Sequence, residues 1–324
     1  MKNYVLNVGI DVSKSTLDIC VLSSSSRESY DIKNDRRSIQ TFFKPYKGFD
    51  IRVCCENTGK YNWTLLEVLT DYNITCYQVN PLHLKRSIGL VRGKDDQIDA
   101  YRIGLFISKN YQDLTVYQPM DQDIMKIKVL LTKRDLLVKQ RSQHKANVKE
   151  DKLYKEINLE FLEDYTTPLV EFLDVKIKEL EGMIRKIIKE NALLKKQHSI
   201  IASIPGVGSI VTWNVLVKTN AFQNITNAKK FACYSGVAPF QFQSGSSVYS
   251  RPKVSHYADK SMKKLLHMAA MSAIQSNNDL RTYYQRKVAE GKNKMLVLNA
   301  IRNKIIQRIF AMIKSEKKYQ FNLD

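Results

Sequence analysis

The chain has 324 residues, 44% of them hydrophobic and 26% charged, with a formal net charge of +20 and a pI near 9.6. That apolar content supports a packed core and excludes disorder as the default state. The charge speaks to partners more than to fold, because phosphate backbones reward it through counterion release.

No apolar stretch approaches the ~20 residues that span a bilayer, so no membrane partner is expected. Met1-Lys2-Asn3-Tyr4 runs straight into a strand pattern without a secretory signal. The five cysteines (Cys20, Cys54, Cys55, Cys76, Cys233) show no CxxC spacing and sit in apolar runs. They read as reduced, buried thiols of a cytoplasmic protein, with no zinc site.

Residues 1–118 alternate strand and helix signals. Val5–Ile10 and Leu17–Leu22 read as a hairpin around Ser13-Lys14-Ser15, and Ile51–Cys55 as a third strand. Asn62–Asp71 has helical spacing, and Ile74–Val79 is a strand stopped by Asn80-Pro81. Asp96–Ser108 is a helix with Ile98, Ile103, Leu105 and Phe106 facing inward. This order suits an α/β mixed sheet of the RNase H type with packed helices.

Within it, Asp11 closes the first apolar run and Glu56 closes the run Ile51–Cys55. Asp96 and Asp99 share one helix face. A single acid at a strand end is usually solvated and nothing more. Four placed this way can converge on two Mg2+ ions about 4 Å apart and polarise a phosphodiester. Magnesium takes hard oxygen ligands, which suits an all-carboxylate set. Gly9-Ile10-Asp11-Val12-Ser13-Lys14 also resembles the phosphate loop of sugar and acetate kinases, but with 12 glycines in the chain no adenosine loops can be placed.

From residue 119 to 197 the pattern is helical. Two segments, 121–164 and 168–196, are broken by Thr166-Thr167-Pro168. Leu173, Ile177, Leu180, Ile184, Ile187 and Leu194 make a heptad seam, with Asn191 on the remaining seam position. An intramolecular hairpin and a dimerising coiled coil fit this pattern equally. The first segment is rich in bases, among them Lys133 and Arg134, and reads as a nucleic-acid face.

Residues 198–324 form a third, mainly helical part. Ile204-Pro205-Gly206-Val207-Gly208-Ser209 before an apolar helix is a helix-hairpin-helix pattern, in which the amides around Gly206 and Gly208 can hold a phosphate; a plain turn is the alternative. Gly236-Val237-Ala238-Pro239 and a loop carrying Ser244-Gly245 follow. Then come a basic polar stretch, an apolar helix over 265–275 and a basic helical tail from Arg281 to Lys318. Chemistry alone leaves Ser244, Ser246, Ser247 and Ser250 equal as nucleophiles, because a hydroxyl needs a base or metal to activate it. Arg251, Lys253 and Lys260 are candidates to neutralise a phosphate.

Gly9-Ile10-Asp11-Val12-Ser13-Lys14, Glu56-Asn57-Thr58-Gly59 and Lys94-Asp95-Asp96-Gln97-Ile98-Asp99-Ala100 resemble the motif of the DEDD (RuvC-like) insertion-sequence transposases. Pro205-Gly206-Val207-Gly208, Gly236-Val237-Ala238-Pro239 and Ser244-Gly245 resemble that family's C-terminal transposase domain. The likeness covers nearly the whole chain in order, and the Piv DNA invertases are a related branch. It implies a RuvC-like metal domain over 1–118, a helical coiled-coil linker over 119–197 and a transposase domain over 198–324. It further implies Mg2+ bound by Asp11, Glu56, Asp96 and Asp99, and Ser244 as nucleophile through a phosphoserine intermediate. The implied partners are donor and target DNA, a structured bridge RNA that pairs with both, and further copies of the chain in dimers or tetramers. The implied setting is the nucleoid of a prokaryotic cytoplasm. Many relatives carry Thr where this chain has Asp95, so either Asp95 or Asp96 is the ligand; helical spacing selects Asp96, which shares a face with Asp99. A junction-resolving nuclease using water, or a noncatalytic nucleic-acid-binding protein, are the competing functions.

Overall fold

The computed structural model describes residues 5–88, 96–151, 160–244 and 248–320. The chain divides into two compact units, Met1–Pro119 and Met120–Asp324.

The first unit is built on a five-stranded sheet. Its strands are β1 (Leu6–Val12), β2 (Thr16–Leu22), β3 (Arg27–Lys33), β4 (Ile51–Glu56) and β5 (Thr75–Val79), in spatial order β3-β2-β1-β4-β5. The first three strands form an antiparallel meander, and β4 and β5 run parallel to β1. This is the mixed RNase H-like sheet expected from the sequence. The turn between β1 and β2 is held by Ser13, whose Oγ accepts from the Thr16 amide at 3.1 Å.

Period-2 alternation sends each strand's side chains to two faces. One face, with Val8, Ile10, Leu17, Ile19, Val53 and Cys55, packs on α1 (Arg36–Phe43) and α2 (Trp63–Asp71) through Ile39, Phe43, Leu65 and Leu69. Each such side chain contributes about 1.5–3 kcal/mol on burial. Three elements have no clear apolar signature. The edge strand β3 (Arg-Glu-Ser-Tyr-Asp-Ile-Lys) is mostly exposed, and its charges protect an open sheet edge from pairing with another chain. Helix α1 starts at a cap, Asp35, whose carboxylate accepts from the Ser38 amide at 2.9 Å. Pro81 does not merely stop β5: it begins α3 (Pro81–Ile88), where its missing N–H is harmless, and Asn80 Oδ1 accepts from the Leu82 amide at 2.9 Å.

The opposite sheet face is covered by α4 (Asp96–Asn110), which buries Ala100, Ile103, Gly104, Phe106 and Ile107. Ile98, expected to face inward, is instead 39% exposed. The helix docks through its small residues, which rotates Ile98 outward.

The second unit opens with an antiparallel helix pair, α5 (Gln122–Asp151) and α6 (Glu160–Glu190). Helix α6 runs unbroken through Pro168, contrary to the break expected at 166–168. An interior proline costs ~3 kcal/mol. Pairing with α5 offsets it through Arg141–Asp174 at 2.5 Å, Arg134–Glu181 at 2.7 Å and the apolar contacts of Ile127 and Leu131 with Ile184 and Ile188. The heptad seam is therefore used inside this chain. It ends at Asn191, which is not a seam residue but the N-cap of α7 (Ala192–Ile201). Its Oδ1 accepts from the Leu194 amide and its Nδ2 donates to Asp123, both at 3.1 Å.

A tight turn then leads into α8 (Ser209–Thr219), which is buried on nearly all sides as a central helix should be. Around it lie α9 (Ala228–Tyr234), the hairpin β6 (Phe240–Ser244) and β7 (Val248–Lys253), α10 (Lys260–Ala273), α11 (Asp279–Ala289) and α12 (Lys294–Ser315). The expected helical tail is thus two helices, parted at Gly291 with φ +78°. Four cysteines are buried and Cys233 is half-buried, all as free thiols. Among the described residues no helix is long and apolar enough to cross a membrane.

Candidate functional site

The sheet register brings the first unit's acids together. In the parallel pairing of β1 with β4, Ile10 lies beside Cys55, so Asp11 and Glu56 are the next residues on neighbouring strands. Both leave the sheet on the face covered by α4. That helix approaches β1 until the backbones touch: a Cβ on Gly9 would lie 2.1 Å from the Ala100 carbonyl and 2.2 Å from the Gly104 amide. Gly104 is less tightly held from the other side, its Cβ position 3.0 Å from the Leu22 side chain and 3.3 Å from the Gly9 amide. With Gly9 seated under Ala100 and Gly104, the first turn of α4, carrying Asp96 and Asp99, falls over Asp11.

The electrostatics follow from that convergence. Burial raises the Asp11 carboxyl above its ordinary value, and the charges of Asp96, Glu56 and Asp99 raise it further. Burial, then Asp99, does the same to Glu56. Like charges gathered in a half-buried recess oppose ionisation. Arg102 Nη1 donates to Asp99 Oδ1 at 2.9 Å, so one neighbouring cation already faces the group. Among the described residues no three acid, histidine or cysteine groups yet stand as a metal-holding set. The chemistry of the donors fits a hard divalent cation: all are carboxylate oxygens, and their mutual repulsion is what such an ion would relieve. Asp95 lies outside the described residues.

The same register reveals acids that the sequence reading passed over. Asp11 pairs across the hairpin with Asp18, and Asp18 with Asp31, so a carboxylate row crosses β3, β2, β1 and β4 on one face. Neither Asp18 nor Asp31 ends an apolar run, and only the strand pairing aligns them. Gly9, Gly104 and Arg102 were missed too. A glycine in a strand facing a glycine in a helix was the signal available for the first two.

In the second unit, Ser244 is the last residue of β6, paired with Val248, rather than part of a loop. Arg251 and Lys253 lie on β7, with Lys253 exposed, and Lys260 opens α10. Ser246 and Ser247 lie outside the described residues. The segment feeding β6 is anchored from several sides. Gly236 (φ +65°) has Ala258 2.7 Å from its Cβ position, and Asn299 Nδ2 donates to the Val237 carbonyl at 3.0 Å. Asp259, the N-cap of α10, receives Tyr234 Oη at 2.9 Å and Lys218 Nζ at 2.8 Å. The Lys218 and backbone bonds hold the Asp259 carboxyl below its usual value although burial opposes them. Arg302 is nearly fully buried, and its Nη2 lies 3.2 Å from His267 Nδ1.

The two helix-hairpin-helix glycines differ. Gly206 has φ +80° and its Cβ position is 2.2 Å from the Ala269 carbonyl, so it is required for close packing on α10. Gly208 caps α8, is exposed and has open space around it. Of the two bases singled out on α5, Lys133 is exposed, while Arg134 is turned to Glu181 and Asp135.

Two family models match the chain. One, for DEDD transposases of the IS110 type, matches residues 8–151; the other, described as "Transposase IS116/IS110/IS902 family", matches residues 198–285. The pilin gene-inverting protein of Moraxella bovis is 24% identical over 321 residues, covering 96% of this chain and 97% of that protein. A 43.6 kDa protein of insertion element IS110 from Streptomyces coelicolor is 25% identical over 143 residues, covering 44% of this chain and 34% of its own length. Among solved structures, Thermus thermophilus RuvC in complex with a Holliday junction substrate is similar at a TM-score of 0.28 and 12% identity, covering 35% of this chain and 99% of that one.

Proposed function

The chain belongs to the IS110-type family of DEDD transposases and is a DNA recombinase, and we propose that it cuts and rejoins strands through Ser244, with magnesium held by Asp11, Glu56, Asp96 and Asp99. The observation that carries this reading is the meeting of those four charges over the Gly9–Ala100–Gly104 contact, which leaves Asp11 and Glu56 with raised pKa values. A bound divalent cation there supplies polarisation of the scissile phosphate and stabilisation of the charge that develops on it.

The protein's own residues supply the rest. Ser244 Oγ attacks phosphorus, a phosphoserine ester forms, and the leaving strand departs with a free hydroxyl. Attack of a second strand's hydroxyl on that ester restores Ser244. The ester keeps the phosphodiester energy, so rejoining needs no external source. Arg251, Lys253 and Lys260 offset the phosphate charge on the hairpin side, and the amides near Gly208 hold backbone phosphate. The relative named for inverting a pilin gene, aligned over nearly its full length, supports rejoining rather than simple cleavage.

Donor and target DNA are selected by pairing with a structured bridge RNA held by the basic chain. The chain acts as a dimer or tetramer in which the carboxylates of one subunit meet Ser244 of another. The chemistry is tested by denaturing the protein after incubation with cognate DNA. A resistant adduct that Ser244→Ala abolishes is expected; cut DNA released without any adduct would make water the nucleophile. Mixing Asp11→Asn with Ser244→Ala, each inactive alone, should restore recombination if the two halves come from different subunits. Sequencing RNA that copurifies with the protein tests the guide.

A further inference from the structure

A second recess in the molecule is lined by none of the residues named in that chemistry. Where the end of α6, the middle of α7 and the middle of α8 meet, they line an open recess of about 220 Å3. Arg185 and Lys189 line it from α6, Lys195, His198 and Ser199 from α7, and Trp213 from α8. The spacing explains the gathering. Arg185 and Lys189 are four apart on one helix face, as are Lys195 and Ser199 on another, with His198 beside them.

The charges are poorly balanced. Among the described residues Arg185 has one ion-pair partner, Glu181, at 3.9 Å. Neither Lys189 nor Lys195 forms an ion pair among the described residues. Beneath them Trp213 is fully buried, with Arg185 over its ring at 5.9 Å, and its indole Nε1 finds no acceptor. A buried donor left unmade costs about 1–3 kcal/mol, so natural proteins seldom keep one without a use. The floor, Ile188 and the Trp213 ring, is apolar.

We propose that this recess binds one phosphodiester group of a nucleic-acid strand, its oxygens taken by Arg185, Lys189 and Lys195. A carboxylate carries the same single charge but has only its two oxygens as acceptors. A phosphodiester offers more oxygens to a ring of donors that includes the Ser199 hydroxyl and the His198 imidazole. Burial holds that imidazole below its usual pKa in the free protein. The site rests on the reading of the chain as a DNA recombinase and adds to it a place where a strand is gripped outside the cleavage centre.

The test uses the full chain and labelled oligonucleotides as duplex DNA and as single-stranded RNA, with inorganic phosphate as a third arm. Lys189→Ala/Lys195→Ala should weaken strand binding roughly tenfold. It should also lower the salt slope by about one, the signature of a single lost phosphate contact. Lys229→Ala/Lys230→Ala removes the same charge from exposed positions on α9 and should change neither. In a Trp63→Phe background, Trp213 is the remaining tryptophan, and its emission should shift saturably with the strand that binds. Equal losses in the two double variants would overturn the site in favour of a diffuse field. So would normal strand binding by Lys189→Ala/Lys195→Ala with Trp213 unmoved, while leaving the recombinase reading intact. Binding of phosphate without any strand would overturn it as a strand site. Failure of the unaltered protein to bind any strand would bring down both readings.

Discussion

The two units handle charge in opposite ways. In the first, acids are pressed together by a rigid sheet and a helix that touches it, and repulsion is held in the fold. In the second, bases are spread along helices and a hairpin, some with a partner, as Arg134 has Glu181, and others facing outward, as Lys133 does. The difference shows what each is suited to hold. A compact acidic recess suits a small divalent ion, which needs several hard ligands at one point. A distributed basic surface suits a polymer of phosphates.

The sharpest break of this contrast is at the acids. Asp11→Asn should reduce recombination by well over ~100-fold, since even groups that merely support metal ligands cost 10–100-fold when removed. The same change should raise the melting temperature of the metal-free protein. The raised carboxyls of Asp11 and Glu56 favour the protonated form in the folded state. Their penalty is therefore absent below the ordinary carboxylate pKa and sets in as pH rises through it to the raised value. Metal-free protein should lose stability across that window, and Asp11→Asn should flatten the loss. An unchanged pH profile of melting would show that the four charges are not coupled.

Next in size are the glycines that set distances. Gly9→Ala forces the helix off the sheet and should cost about 1–3 kcal/mol or more, together with much of the divalent-metal affinity measured by calorimetry. Gly206→Ala should cost a similar amount, from clash with α10 and a strained positive φ, yet leave metal affinity unchanged. If both variants lost metal binding equally, global unfolding and not geometry would be the cause.

Smaller effects sharpen the second unit. Asn191→Ala removes a helix cap and its bond to Asp123 and should cost about 1 kcal/mol in denaturant unfolding. Glu181→Gln leaves the half-buried Arg134 only the exposed Asp135 as a charged partner and should cost about 1 kcal/mol or less, falling with added salt. Ser244→Ala should leave the unfolding free energy within about 0.5 kcal/mol of the parent while abolishing the DNA adduct, separating chemistry from stability.

The sequence by itself determined the strands with strong apolar runs, the acids that end two of them, and the helix that carries the other two. These are local patterns of period 2 and 3.6, written in neighbouring residues. It also determined the basic character of the chain, which is a sum and needs no fold. Elements with little apolar signal escaped it: β3, whose exposed residues face water, and α3, whose Pro81 starts a helix as readily as it ends a strand. The heptad pattern ran on through Asn191, but capping is decided by where the chain bends. Only the tertiary structure decided that Asp18 and Asp31 stand in line with Asp11, because alignment across strands is a matter of register. Only it decided that Gly9 and Gly104 bring α4 down onto the sheet, because close approach belongs to two surfaces and is written in neither alone.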